Sequence, residues 1–170
     1  LAAGTGPGPL IAINPMAKWE SKQWPREHFA RLAGRLCERF GARICFTGSS
    51  DDRAPVARIR RRIAGQTLDL TGRTGLRTLA ALYRRCDLVI STDTGPMHLA
   101  AAVGTPVVAL FGPTAPWRTG PYGRRHRVVR AQVPCSPCFE RRCPRADDCM
   151  RSIRVDAVLS AVGEVLDAGG

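Results

Sequence analysis

The apolar run Leu10-Ile11-Ala12-Ile13 stops at Asn14-Pro15, the pattern of a buried strand running into a loop. From a start near Pro25, Phe29, Leu32, Ala33, Leu36 and Phe40 recur at helical spacing, and Gly41 closes the helix. Ile44-Cys45-Phe46-Thr47 reads as a second strand, followed by the turn residues Gly48-Ser49-Ser50 and a basic helix. A brief Leu68-Asp69-Leu70 segment then leads to a helix with Leu76, Leu79, Ala80, Tyr83 and Cys86 on one face. Leu88 to Ser91 is a strand, Met97 to Val103 a short helix, Val107 to Phe111 a strand, and Val128-Val129 adds one more. The last helix carries Val155, Val158, Leu159, Val162 and Leu166 on one side. Alternation of this kind predicts an α/β fold, a Rossmann-like parallel sheet with helices on both faces. Such sheets bind ligands beyond the carboxyl ends of their strands. Attention therefore falls on the loops Asn14 to Trp24, Thr92 to His98 and Gly112 to Tyr122.

Composition narrows the partners. The chain has 170 residues, 44% hydrophobic and 24% charged, the balance of a folded domain with its own core. No apolar run approaches the roughly 20 residues that span a bilayer. Lys and Arg number 26 against 14 Asp and Glu, a formal charge of +12 that favours anionic partners. The dense run Arg58, Arg60, Arg61 and Arg62 reads as a solvated helix face or as an anion patch. Aromatics are only 6%, and none interleaves with that run as a base-stacking platform requires. Nucleic acid is therefore a disfavoured partner.

The strongest local signal is Ser91-Thr92-Asp93-Thr94-Gly95-Pro96-Met97-His98, between an apolar strand and a short helix. Gly95 permits close backbone approach, Pro96 suits the first helical turn, and the free amides there can hold a diphosphate. A carboxylate repels phosphate, so Asp93 reads as an acceptor for sugar hydroxyls, as an orienter of the loop, or as a helix cap. His98 at a helix N-terminus is expected to be neutral, as a ligand contact or as scaffolding. The first loop offers Lys18 and Lys22 as point charges for diphosphate oxygens, Lys22 being the preferred clamp, with Trp24 and Pro25 fastening the loop. Trp19 packs on its own loop or stacks on a base. In the third loop Thr114 and Arg118 are candidate contacts, and Leu70-Thr71-Gly72-Arg73-Thr74-Gly75 can receive a nucleoside or simply cap a helix.

Taken together, Asn14-Pro15 through Lys22-Gln23-Trp24-Pro25, Asp69 to Thr74, Asp93-Thr94-Gly95-Pro96-Met97-His98-Leu99-Ala100-Ala101-Ala102 and Phe111-Gly112-Pro113-Thr114 resemble the C-terminal domain of the lipopolysaccharide heptosyltransferases, glycosyltransferase family 9. The resemblance covers nearly the whole chain. It implies the C-terminal half of a GT-B glycosyltransferase, two facing Rossmann-like domains that hold ADP-heptose mainly on this half. It also implies inverting, metal-independent transfer to the lipopolysaccharide core or its lipid A-Kdo region at the cytoplasmic face of the inner membrane, with peripheral membrane contact. By position, Lys22 resembles the family lysine at the donor phosphates, Asp93 the aspartate near the donor sugar, and Gly95, Pro96, Met97 and His98 the loop beneath the diphosphate. Thr71, Gly72 and Thr74 are similar to the segment flanking the nucleoside. Met16 departs from the pattern, standing where the family often has glycine. The family's catalytic carboxylate belongs to the N-terminal domain, so no general base is assigned here, and the chain alone is expected to be inactive. Residues 1–9 are expected to be a linker or truncated interdomain segment, and 10–170 the nucleotide-sugar-binding domain.

Cys135, Cys138, Cys143 and Cys149, in the cysteine-rich loop at 133–150, run Cys-x2-Cys-x4-Cys-x5-Cys. That spacing admits reduced packed thiols, a structural zinc, an iron-sulfur cluster or a disulfide. Two other classes remain as alternatives: a nucleotide-binding α/β domain of another enzyme, and a cysteine-rich basic module for nucleic acid or protein. Against a dehydrogenase, the first strand is followed by Asn14-Pro15-Met16-Ala17 and no glycine-rich fingerprint.

Overall fold

The computed structural model describes residues 8–65, 67–145 and 149–168. Residues 1–7 of the expected linker and 146–148 of the cysteine-rich loop lie outside the described residues. Six strands form one sheet: β1 (Leu10–Asn14), β2 (Arg43–Phe46), β3 (Leu68–Asp69), β4 (Leu88–Thr92), β5 (Val107–Phe111) and β6 (Arg127–Arg130). Their spatial order is β3-β2-β1-β4-β5-β6, and every neighbouring pair is parallel. The chain winds outward in one direction from β1 and then in the other from β4, leaving a crevice between those two strands at their carboxyl ends.

Helices α1 (Arg26–Phe40), α2 (Arg53–Arg60), α3 (Leu76–Tyr83), α4 (Gly95–Ala102), α5 (Pro116–Thr119) and α6 (Val155–Asp167) complete the chain. Period-2 alternation sends Ile11 and Ile13 to one face of β1 and Leu10 and Ala12 to the other. The first face is covered by α1, α2 and α6 through Phe29, Leu36, Val56, Ile59, Val158 and Val162. The second is covered by α3 and α4 through Tyr83, Met97 and Ala100. Both faces are therefore covered by helices, as the alternating pattern predicts. Gly41 ends α1 in the left-handed region at φ 60°, its amide donating to the Cys37 carbonyl at 3.0 Å. Leu76 departs from the expected apolar face: it is 73% exposed at the start of α3, because it borders the cleft described below. Cys86 lies beyond the end of α3 and is buried against Leu10 and Ala12 instead.

The start of β5 leans on His126, whose Nδ1 accepts the Val107 amide at 3.1 Å while the other ring nitrogen contacts the Tyr122 carbonyl at 3.0 Å. Burial lowers the His126 pKa below the ordinary 6.5, the Tyr122 carbonyl opposing and Arg125 reinforcing the shift. Its stabilising contribution is thus complete above the ordinary value and is lost as pH falls through the folded one. Thermal unfolding should show a midpoint that drops as pH falls below the ordinary histidine value of about 6.5. In His126→Ala the drop should be smaller; an unchanged pH dependence would count against this role.

Candidate functional site

The β1 and β4 carboxyl ends open into a cleft of about 670 Å³, lined by Asn14, Lys18, Lys22, Asp93, Gly95 and Leu76 among others. The size suits a nucleotide-sized ligand. Beneath it, the Asn14 side-chain amide donates to Thr47 Oγ1 at 3.2 Å, which lies 3.0 Å from the Tyr83 hydroxyl. Burial pushes the Tyr83 phenol far above its usual range, with the Thr47 hydrogen bond opposing, so it stays neutral. This polar triad ties β1 to β2 and α3 under the cleft floor. Thr47 and Tyr83 carry no sequence signal, since only their pairing marks them out.

Lys22 leaves a short 3-10 turn (Glu20–Lys22) and reaches Asp93 Oδ2 at 2.7 Å and the Asp93 carbonyl at 3.3 Å. Its ammonium also sits 4.4 Å from the Trp19 ring centroid. Asp93 is buried and also receives the Thr119 hydroxyl at 3.3 Å, a partner that the sequence did not single out. Two groups assigned separately to phosphate and to sugar are thus one ion pair. It is half-enclosed, with side-chain exposures of 16% and 6%, so each charge depends on the other more than an exposed pair would. Trp24 holds this loop: its indole N–H donates to the Ile153 carbonyl at 3.0 Å, and its ring packs edge-on against Phe29 at 4.8 Å.

The remaining candidates divide. Lys18, Thr74, Thr94, Gly95 and Pro96 line the cleft. A Cβ at Gly95 would meet nothing within 4 Å, so the backbone is open to a ligand there. Thr94 is the N-cap of α4 but makes no side-chain cap bond; its hydroxyl lies 3.1 Å from Ser91 Oγ and donates to the Thr92 carbonyl at 3.3 Å. The amides of the first turn are therefore not taken by the Thr94 side chain. Met97 is fully buried in the apolar layer, and His98 is exposed outside the cleft lining. Thr71 and Thr114 are buried with hydroxyls lacking a partner, and neither lines the cleft. Gly72 sits at φ 66°, where a Cβ would come within 2.8 Å of Ser50 and Arg53, so its place is a tightly packed turn. In the cysteine-rich loop, the amides of Cys138 and Phe139 donate to the Pro113 carbonyl, and Cys149 is buried next to Gly112. Among the described residues no three His, Cys, Asp or Glu side chains group to hold a metal ion, and none of the cysteines is in a disulfide. No step below is routed through a metal.

A doubly wound parallel sheet with an ion-paired lysine and an open helix start at its switch point places the chain among the Rossmann-like α/β domains, whose ligands bind at that crevice. The chain belongs to glycosyltransferase family 9, the heptosyltransferases, whose family model matches residues 2–147. It is similar to lipopolysaccharide heptosyltransferase 1 of Pseudomonas aeruginosa, 34% identical over 143 residues that cover 83% of this chain and 39% of that protein. Among solved structures it is similar to a family 9 glycosyl transferase from Veillonella parvula, with TM-score 0.85 and 28% identity over 95% of this chain and 46% of that one. It is likewise similar to E. coli heptosyltransferase WaaC with ADP, with TM-score 0.76 and 27% identity over 95% and 46%. The chain therefore spans less than half the length of these three proteins. The fold matches the C-terminal GT-B domain of the heptosyltransferases. No described helix is long and apolar enough to cross a membrane.

Proposed function

We propose that this chain is the donor-binding half of an inverting heptosyltransferase that uses ADP-heptose and builds the lipopolysaccharide core. The observation that carries the reading is the Lys22–Asp93 pair at the mouth of the β1/β4 crevice, beside the open first turn of α4. On binding, the diphosphate draws the Lys22 ammonium and the amides of Gly95 and its neighbours. Asp93 then accepts from donor-sugar hydroxyls, with Thr119 holding the carboxylate in place. As the sugar–phosphate bond breaks, the charge growing on the leaving ADP is met by groups already positioned for it. The acceptor, the core or its lipid A-Kdo region, and the base that deprotonates its hydroxyl belong to the other half of the enzyme, which works in peripheral contact with the cytoplasmic face of the inner membrane. Binding of ADP by the relative's structure supports the donor assignment. A structural zinc at Cys135, Cys138, Cys143 and Cys149 is a separate proposal, checked by elemental analysis of protein without a His-tag and a count of protected thiols.

Calorimetric titration of the chain against ADP, GDP and UDP tests the site. ADP should bind with Kd between about 10 μM and about 1 mM, the range for one half of a two-sided cleft. No heat with any nucleotide at about millimolar concentration would remove the assignment.

A further inference from the structure

Away from the donor cleft, a second concavity of about 350 Å³ lies between the outer face of α1 and the start of α6. His28, Arg31 and Arg35 line it from α1, and their spacing of three and four residues places them on one helical stripe. Arg151, from the 3-10 turn Cys149–Ser152, and Arg154, at the N-cap of α6, close the other side. Four guanidiniums thus share one small groove with a single lining carboxylate, Asp156, which pairs with Arg35 and, at 3.5 Å, with Arg154. Arg151 reaches outward to Glu27 at 3.7 Å, and Arg31 has no carboxylate partner among the described residues. Four positive groups against two negative ones leave an excess of positive charge along the groove, and with Arg35, Arg151 and Arg154 41%, 63% and 81% exposed those guanidiniums are open to an anion from solvent. Guanidiniums are planar forks that suit tetrahedral oxyanions better than ammonium groups do. None of these residues takes part in the donor cleft.

We propose that this groove is a second anion site, taking a phosphate group through Arg31, Arg35, Arg151 and Arg154. A phosphate bridges Arg31 and Arg151 and competes with Asp156 for Arg35 and Arg154. His28 reports on occupancy. Its Nδ1 is buried without a partner, and its pKa is lowered by burial, with Glu27 opposing and Arg31 and Arg151 reinforcing the shift. An anion beside the ring must raise that pKa.

The test is NMR titration of the three histidine rings of the chain with inorganic phosphate at low salt, against chloride at matched ionic strength. Phosphate is expected to raise the His28 pKa while His126 stays put, and Arg31→Gln with Arg154→Gln should weaken the effect at least about fivefold. Because Lys22 is untouched, ADP binding in the double variant should equal that of the parent, which separates this site from the donor reading. Co-sedimentation with phosphatidylcholine vesicles containing or lacking phosphatidic acid identifies the source. Retention that depends on phosphatidic acid and is lost in the double variant assigns the phosphate to a lipid headgroup; free-phosphate binding without retention assigns it to a soluble ligand. Equal shifts with chloride and phosphate, movement of His126 together with His28, or an unaltered response in the double variant would overturn the proposal.

Discussion

Lys22→Ala is expected to weaken ADP binding by about 10- to 150-fold, the loss of one charge-assisted contact worth about 1.5–3 kcal/mol. Two effects add. The cation aimed at the diphosphate disappears, and Asp93, which is 6% exposed, is left as a carboxylate with only the Thr119 hydroxyl while the phosphates approach. The second effect is removed by neutralising the partner, so Lys22→Ala combined with Asp93→Asn should recover a substantial part of the loss. Asp93→Asn alone should behave differently. It frees the ammonium, leaving ADP bound about as well or better, but exchanges the charged acceptor for sugar hydroxyls for a weaker neutral one and so lowers any preference for ADP-heptose over ADP. Calorimetry on the four proteins, with circular dichroism confirming the fold, decides the matter. If Lys22→Ala binds ADP within about twofold of the parent, the ion pair is only structural and the roles given to it are wrong.

Trp24→Ala should have the largest effect on stability, about 3–5 kcal/mol for an aromatic truncation in a closed core. The indole is only 2% exposed, stacks edge-on against Phe29 and His28, and satisfies the Ile153 carbonyl just before α6. Its loss opens a cavity at the joint of α1, the Lys22 loop and α6. At about 2–4 °C per kcal/mol for a chain of this size, the melting midpoint should fall by about 6–20 °C. Trp24→Phe keeps much of the ring packing and drops the N–H, so its cost should be about 1–3 kcal/mol. Urea unfolding of both variants tests the assignment, and a loss under about 1 kcal/mol for Trp24→Ala would place the indole outside the core.

Much of the architecture was legible along the chain. The strands are legible nearly to the residue, as Val107 to Phe111 shows, because short continuous apolar runs and the breaks at Asn14-Pro15 and Gly112-Pro113 are local features. The end of α1 was legible for the same reason, since Gly41 accepts a backbone conformation that other residues resist. Leu76 lies at the cleft and not in the core: helical spacing reports which residues share a face and not what that face meets. The short α5 and the 3-10 turn that carries Lys22 are too brief to show any period in the sequence.

The site divides along the same line. Motif spacing brought out the loops holding Lys22 and Asp93, and those loops do meet at the switch point. The pairing of the two side chains, 71 residues apart, was not readable, nor was the support of Asp93 by Thr119 or of Asn14 by Thr47 and Tyr83. Likewise, nothing in the spacing of Arg31 and Arg35 announces that Arg151 and Arg154 face them. Local covalent geometry dictates where strands, helices and turns form, and residues a few positions apart are enough to reveal it. Contacts between distant residues depend on the strand order β3-β2-β1-β4-β5-β6 and on which helix covers which face. That order is selected by burial of both apolar faces over the whole chain, a collective term that no short segment expresses.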